Sequence, residues 1–167
     1  KAGRPFAFAP MTQDKVWILP HVDDVATVLA KAIFVRLGFE CILAEETPAS
    51  IFRGLKLVGG GECVPTAAIL GGIVQTVEKH KLDPRHTAAL IPTSMISCNY
   101  PQIPVAVHSS LQKMGLGDIT IYPTAAAERS FSFSLNVSLL KTYVIASLIH
   151  QMTAKVRPYE IRRGDAA

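Results

Sequence analysis

Cysteine is scarce in this 167-residue chain, and no two cysteines form a Cys-x-x-Cys pair. There are three, Cys41, Cys63 and Cys98, an odd count at wide spacing. That argues against a disulfide framework and for a reducing, cytoplasmic compartment. Long apolar runs are missing too. The longest, "SLLKTYVIASLIH", carries Lys141 and falls short of the roughly 18 residues of a membrane span, so no membrane role is expected. The chain begins at Lys1 with no secretory leader ahead of it, which suggests a trimmed or processed segment. Charge of one sign is not concentrated. Seventeen Lys and Arg against thirteen Asp and Glu give +4, and only the tail "RPYEIRRGD" clusters the basic groups. Nucleic-acid binding asks for a basic stripe with exposed aromatics, and neither is visible.

Several catalytic signatures are also missing. "VGGGEC" lacks the lysine of a GxxxxGK[ST] phosphate loop. It follows a helix rather than the first strand, which sets aside the dinucleotide fingerprint. There is no GxSxG elbow, no internal repeat and no low-complexity tract.

What is present is a rich apolar complement, 49% of residues. It is enough for one compact domain and for some surface that another module covers. Residues 1–14, with Pro5 and Pro10, read as an irregular lead-in. "KVWILP" (15–20) is a short apolar run closed by proline, the pattern of a buried strand. In the next segment Val25, Val28, Leu29, Ala32, Ile33 and Leu37 recur at helical spacing. Asp23 and Asp24 stand at its start, where the helix dipole favours anions, and Gly38 at its stop. "FECILA" (39–44) is a second strand. Thr47 and Pro48 open a short helix as N-cap and first residue, Gly59–Gly61 break it, and another helix starts near Pro65. "TAALIP" (87–92) is a third strand and "TSMISCNYP" a loop. A helix ending at Gly115, the strand "DITIYP" (118–123), a Ser/Ala-rich connection and a long helix over 134–155 complete the chain.

Alternating strands and helices imply a parallel sheet covered on both faces. The expected fold is a three-layer α/β, Rossmann-like (flavodoxin-like) domain with a four-stranded parallel sheet in the order 2-1-3-4, plus a long C-terminal helix. The α/β lobe would occupy 15–125 and the helix and tail 126–167. In such a sheet ligands bind beyond the C-terminal ends of the first and third strands, where the winding direction switches.

That topology gathers His21, Cys63 and Cys98 at one edge of the sheet. "CVP" and "CNYP" each set a thiol just before a proline that can open a helix. A helix N-terminus stabilises thiolate, the form that binds soft metals and iron–sulfur clusters. Gly59, Gly60 and Gly61 let the backbone approach a bulky inorganic group, and their amides are candidate donors to its sulfides. Plainer readings stand beside these. Cys41 is a small buried residue of a strand, and Cys63 and Cys98 could each be structural. His21 is a strand-end cap or surface residue rather than a ligand, and His108 is packed in a helix. His80, His86 and His150 are solvated at helix ends, and Asp23 and Asp24 are helix-start charges. A thiol enzyme with Cys63 as nucleophile and His21 as base is a further alternative.

Three stretches, in order, carry a family resemblance. "GGGECVPTAAILGGIVQTVEKH" resembles the Gly-x-x-Cys-x-Pro segment of the 2-hydroxyacyl-CoA dehydratase superfamily, including the mid-helix glycine that Gly71 and Gly72 provide. "ALIPTSMISCNYPQIPVAVHSSLQKMGLGDITIYP" resembles a second family segment of strand, cysteine loop, helix and strand. "KVRPYEIRRGD" resembles its Arg-Pro-Tyr-Glu stretch. The branch most similar is that of the acyl-CoA dehydratase activase-related proteins (CoA activases), with benzoyl-CoA reductase subunits and double-cubane cluster proteins as further relatives.

The resemblance implies a lobe that helps hold an iron–sulfur cluster, of the 4Fe-4S kind, through Cys63 and Cys98. Gly60 and Gly61 would shape the pocket and Pro65 would start the helix aimed at it. In that family an ATP-driven activator passes a low-potential electron to such a cluster, which reduces a substrate thioester. The protein would then be a component of a radical acyl-CoA dehydratase or an ATP-dependent reductase. Met95 stands where many relatives have a further cysteine, and the Arg-Phe-Gly of their loop is missing. The remaining ligands would come from another lobe, domain or subunit, or from a non-cysteine group. If the cluster has been lost, the lobe would be a non-catalytic interaction or scaffold domain.

Overall fold

The computed structural model describes residues 11–91, 93, 98–124 and 133–165. Most of the expected lead-in, the Ser/Ala-rich connection, Pro92 and Met95 lie outside the described residues. The strands are β1 (Val16–Leu19), β2 (Glu40–Leu43), β3 (Thr87–Ile91) and β4 (Thr120–Pro123). The helices are α1 (Asp24–Arg36), α2 (Pro48–Leu57), α3 (Val64–His80), α4 (Ile103–Lys113) and α5 (Phe133–Val156). All strand pairs are parallel, in the order β2-β1-β3-β4, as the alternation predicts. Trp17 sits between Cys41 and Ala88 in register, and Ala88 pairs onward with Thr120.

Successive strand side chains point to opposite faces, and the core divides accordingly. Trp17, Leu19, Cys41, Ala88 and Tyr122 pack with Phe34 of α1 and Leu135 and Leu139 of α5. Ile18, Ala89, Ile91 and Ile121 face the other way, onto Leu70, Ile73 and Val74 of α3 and Val107 and Leu111 of α4. The result is three layers, with short strands that have to be apolar on both faces.

The helix ends follow their local chemistry. Asp23 caps α1, its Oδ1 accepting from the amides of Val25 at 3.0 Å and Ala26 at 2.7 Å. Gly38, at φ +86°, ends it. Thr47 and Ser50 form a reciprocal capping box at α2, with Pro48 as its first residue. Gly115, at φ +75°, follows α4.

The mid-helix glycines have a steric cause. A Cβ on Gly71 would lie 1.9 Å from the Ser50 carbonyl oxygen, and one on Gly54 would lie 1.9 Å from that of Ala67. The backbones of α2 and α3 therefore touch where they cross. Around the crossing, Arg53 pairs with Glu78, and Lys79 Nζ lies 2.7 Å from Glu45 Oε1. The hydroxyl of Thr76 accepts from the Glu45 amide at 2.9 Å. These contacts fix the direction of α3 and so the place of the Cys63 turn at its start.

The long helix differs from expectation in two ways. His150 is exposed as expected but is not at a helix end: it lies within α5, and its Nε2 is 2.6 Å from Asp23 Oδ2, tying α5 to the start of α1. Continuous helical structure from Phe133 to Tyr159 is also longer than the uninterrupted apolar run, so by length and composition this helix meets the criterion for crossing a membrane. Only Thr142 and Ala146 of α5 are buried.

Candidate two-cysteine site

Cys63 occupies the N-cap position of α3, with Val64 and Pro65 as the first two helical residues. Its side chain is exposed and makes no cap hydrogen bond. Instead, Sγ lies 3.4 Å from Thr66 Oγ1. The Thr66 hydroxyl, then the Thr66 amide, hold the thiol below its ordinary pKa. Both favour negative charge on sulfur at the positive end of a seventeen-residue helix.

Cys98 has a parallel setting. It is exposed, its Sγ accepts from the Tyr100 amide at 3.2 Å, and a 3₁₀ turn, Tyr100–Gln102, leads directly into α4. Each thiol is thus placed by the opening of a helical segment beyond the C-terminal edge of the sheet.

A cleft of about 150 Å³ separates the two segments. Gly61, Glu62, Cys63 and Thr66 line one side, and Asn99 and Gln102 the other. At about 30 Å³ per water, it has room for roughly five waters or a small inorganic group. Tyr100 starts the turn that leads into α4 and packs against the core. Burial, then Tyr143, Cys98, Cys63 and Glu46, push its phenol pKa up. The phenol therefore stays protonated at neutral pH.

The glycine turn departs from expectation. Gly60 has φ +96°, and a Cβ on Gly60 or Gly61 would meet nothing within 4 Å, so the loop face is open. Its amides, however, turn to Glu62. The Gly61 amide donates to Glu62 Oε2 at 3.1 Å. Amides of Glu62 itself, Gly59, Gly61 and Gly60 hold this carboxyl below its ordinary range. They serve the chain's own carboxylate rather than a group in the cleft.

His21 does not join Cys63. Its Nε2 lies 2.9 Å from Asp24 Oδ1, and its amide donates to Glu46 Oε1 at 3.1 Å, the behaviour of a strand-end residue. Cys41 is buried in β2 as expected, and burial pushes its thiol up to about 11. Among the described residues, no three His, Cys, Asp or Glu side chains come together as a metal site. The exposed thiols of Cys63 and Cys98 are of the donor type that holds iron–sulfur clusters.

Sequence reasoning missed Thr66, Tyr100 and Glu46. Thr66 had a signal in its position, three residues after Cys63 at a helix start, the spacing at which caps pair. Glu46 depends on packing: a Cβ on Gly72 would come 3.0 Å from its Cγ, so the second mid-helix glycine is what lets Glu46 lie along α3.

Comparison with known proteins gives no relative: no family model matches the chain, and neither the curated proteins nor the solved structures provide a match.

Proposed function

We propose that this chain is an iron–sulfur cluster-binding lobe of a 2-hydroxyacyl-CoA dehydratase- or activase-related protein, acting in low-potential electron transfer. The observation that supports this most is the matched setting of Cys63 and Cys98. Both are exposed thiols at the openings of helical segments, Cys63 lining a small cleft and Cys98 directly preceding Asn99 on its other side. Cys63 and Cys98 would hold the cluster, which when bound supplies one-electron reducing power. Thr66 and the Tyr100 amide steady the sulfurs. Gly60 and Gly61 leave the loop face open to a bulky group, and Pro65 sets the first turn of the helix aimed at it. The remaining ligands come from another lobe, domain or subunit, and an ATP-dependent activator or other donor supplies the electron.

The test is thiol footprinting by mass spectrometry under anaerobic conditions. Ferrous iron with sulfide is expected to protect Cys63 and Cys98 together from alkylation, with Cys41 unreactive throughout. Protection of one without the other contradicts a shared group.

A second reading, a non-catalytic interaction domain with this fold, draws on a separate observation: α5 leaves most of its apolar side chains uncovered. Full reactivity of both thiols in the presence of iron and sulfide would favour it.

A further inference from the structure

A helix that is apolar on all sides belongs in a core or against a partner, and α5 meets that description only in part. It buries Thr142 and Ala146, and Leu135 and Leu139 pack against the core. On the opposite side Phe133, Leu140, Val144, Leu148 and Met152 stay exposed, with Ile145 beside them. With Val137 included, these positions run 133, 137, 140, 144, 148 and 152. Steps of three and four residues are those of a seam made to receive another helix.

The charges along the helix are of one sign. Residues 133–156 contain Lys141 and Lys155 and no Asp or Glu.

We propose that this face pairs with the same face of a second copy of the chain, the two α5 helices running antiparallel about a two-fold axis near Val144. Area supports a stable pair. Residues of this size, fully exposed, present on the order of 150–200 Å² each. At exposures of 86% for Phe133, 63% for Leu140 and 66% for Met152, the seam and Ile145 offer roughly 600 Å² per copy, about 1,200 Å² for the pair, the lower end of a standard interface.

Charge decides the direction. A parallel pair would set Lys141 beside Lys141 and Lys155 beside Lys155. The antiparallel pair places Leu140 of one copy opposite Leu148 of the other and Lys141 opposite Ser147, and sends the two Lys155 to opposite ends. Such an interface is isologous and closes at two copies. A lipid surface fits less well, because helices that lie on membranes have one strongly polar face, which α5 lacks. The pairing does not depend on the cluster and is testable without it.

The experiment uses the whole chain carrying Cys63→Ser and Cys98→Ser. Sedimentation equilibrium is expected to give about 36 kDa, twice the 18.0 kDa chain, and Leu148→Glu to return it to the single-chain mass with unchanged far-UV circular dichroism. Adding Val144→Cys should give a covalent dimer with oxidised glutathione, and Val137→Cys should not. A single-chain mass for the parent at about 100 μM overturns the proposal, whether or not the protein then sediments with anionic vesicles. So does a dimer insensitive to Leu148→Glu, or an assembly larger than two.

Discussion

Gly54 of α2 and Gly71 of α3 face each other where the two helices cross, so closely that a Cβ on either would fall 3.1 Å from the amide nitrogen of the other. A helix-interior glycine costs about 1 kcal/mol relative to alanine, and two in facing positions mark a contact that outweighs that cost. The crossing aims α3, and with it the Cys63 turn. Gly71→Ala is expected to lower stability by about 3 kcal/mol, roughly 6–12 °C in Tm for a chain of this size. Gly61→Ala, with open space around it, should stay within about 0.5 kcal/mol. Calorimetry of the two variants checks the contrast.

The two kinds of glycine show what the sequence carries and what it does not. The Gly59–Gly61 break and the stops at Gly38 and Gly115 are local signals, readable because φ and helix termination are local matters. The same holds for the strands: short apolar runs bounded by Pro, Gly and Asp gave all four, and alternation with helices gave their order. Gly54 and Gly71, on different helices, act through a helix crossing that no periodicity reveals. Glu46 against Gly72 and His150 against Asp23 belong to the same class. The loop cysteines were legible at their helix starts, whereas the burial of Tyr100 beside Cys98 required the packed fold.

Cys63 should be the readily ionised thiol. Because Thr66 lowers its pKa, iodoacetamide should modify Cys63 fastest at neutral pH. Thr66→Val should move the midpoint of its pH–rate profile upward and slow alkylation at pH 7 several-fold, since the thiolate is the nucleophile. An unchanged profile would remove the role assigned to Thr66.

Cys41 supplies an alkaline limb. Burial raises its pKa from an ordinary 9.0 to about 11. A group raised on folding contributes stability that is fully present below its unfolded value and lost as pH climbs through the folded one. Urea midpoints should therefore fall between about pH 9 and 11, and less so in Cys41→Ala once its own cavity cost is subtracted at pH 7.

Asp23 links two helices, capping α1 through Oδ1 and holding His150 through Oδ2. The Ala26 amide, His150 and the Val25 amide lower its pKa. A lowered carboxyl gives stability that is present above its ordinary 3.8 and lost as pH falls through the folded value. Asp23→Ala should lower Tm at neutral pH and flatten the acid limb. His150→Ala should retain the cap and loosen only α5, seen as faster amide exchange in the segment around residue 150 with little change in α1.

The central claim is that Cys63 and Cys98 bind one iron–sulfur group. Anaerobic reconstitution with iron and sulfide, followed by absorbance in the thiolate-to-iron region near roughly 400 nm, tests it most directly. The account predicts a band that survives Cys41→Ser and disappears in both Cys63→Ser and Cys98→Ser. A colourless wild-type protein, or a band indifferent to either of those two substitutions, would contradict it.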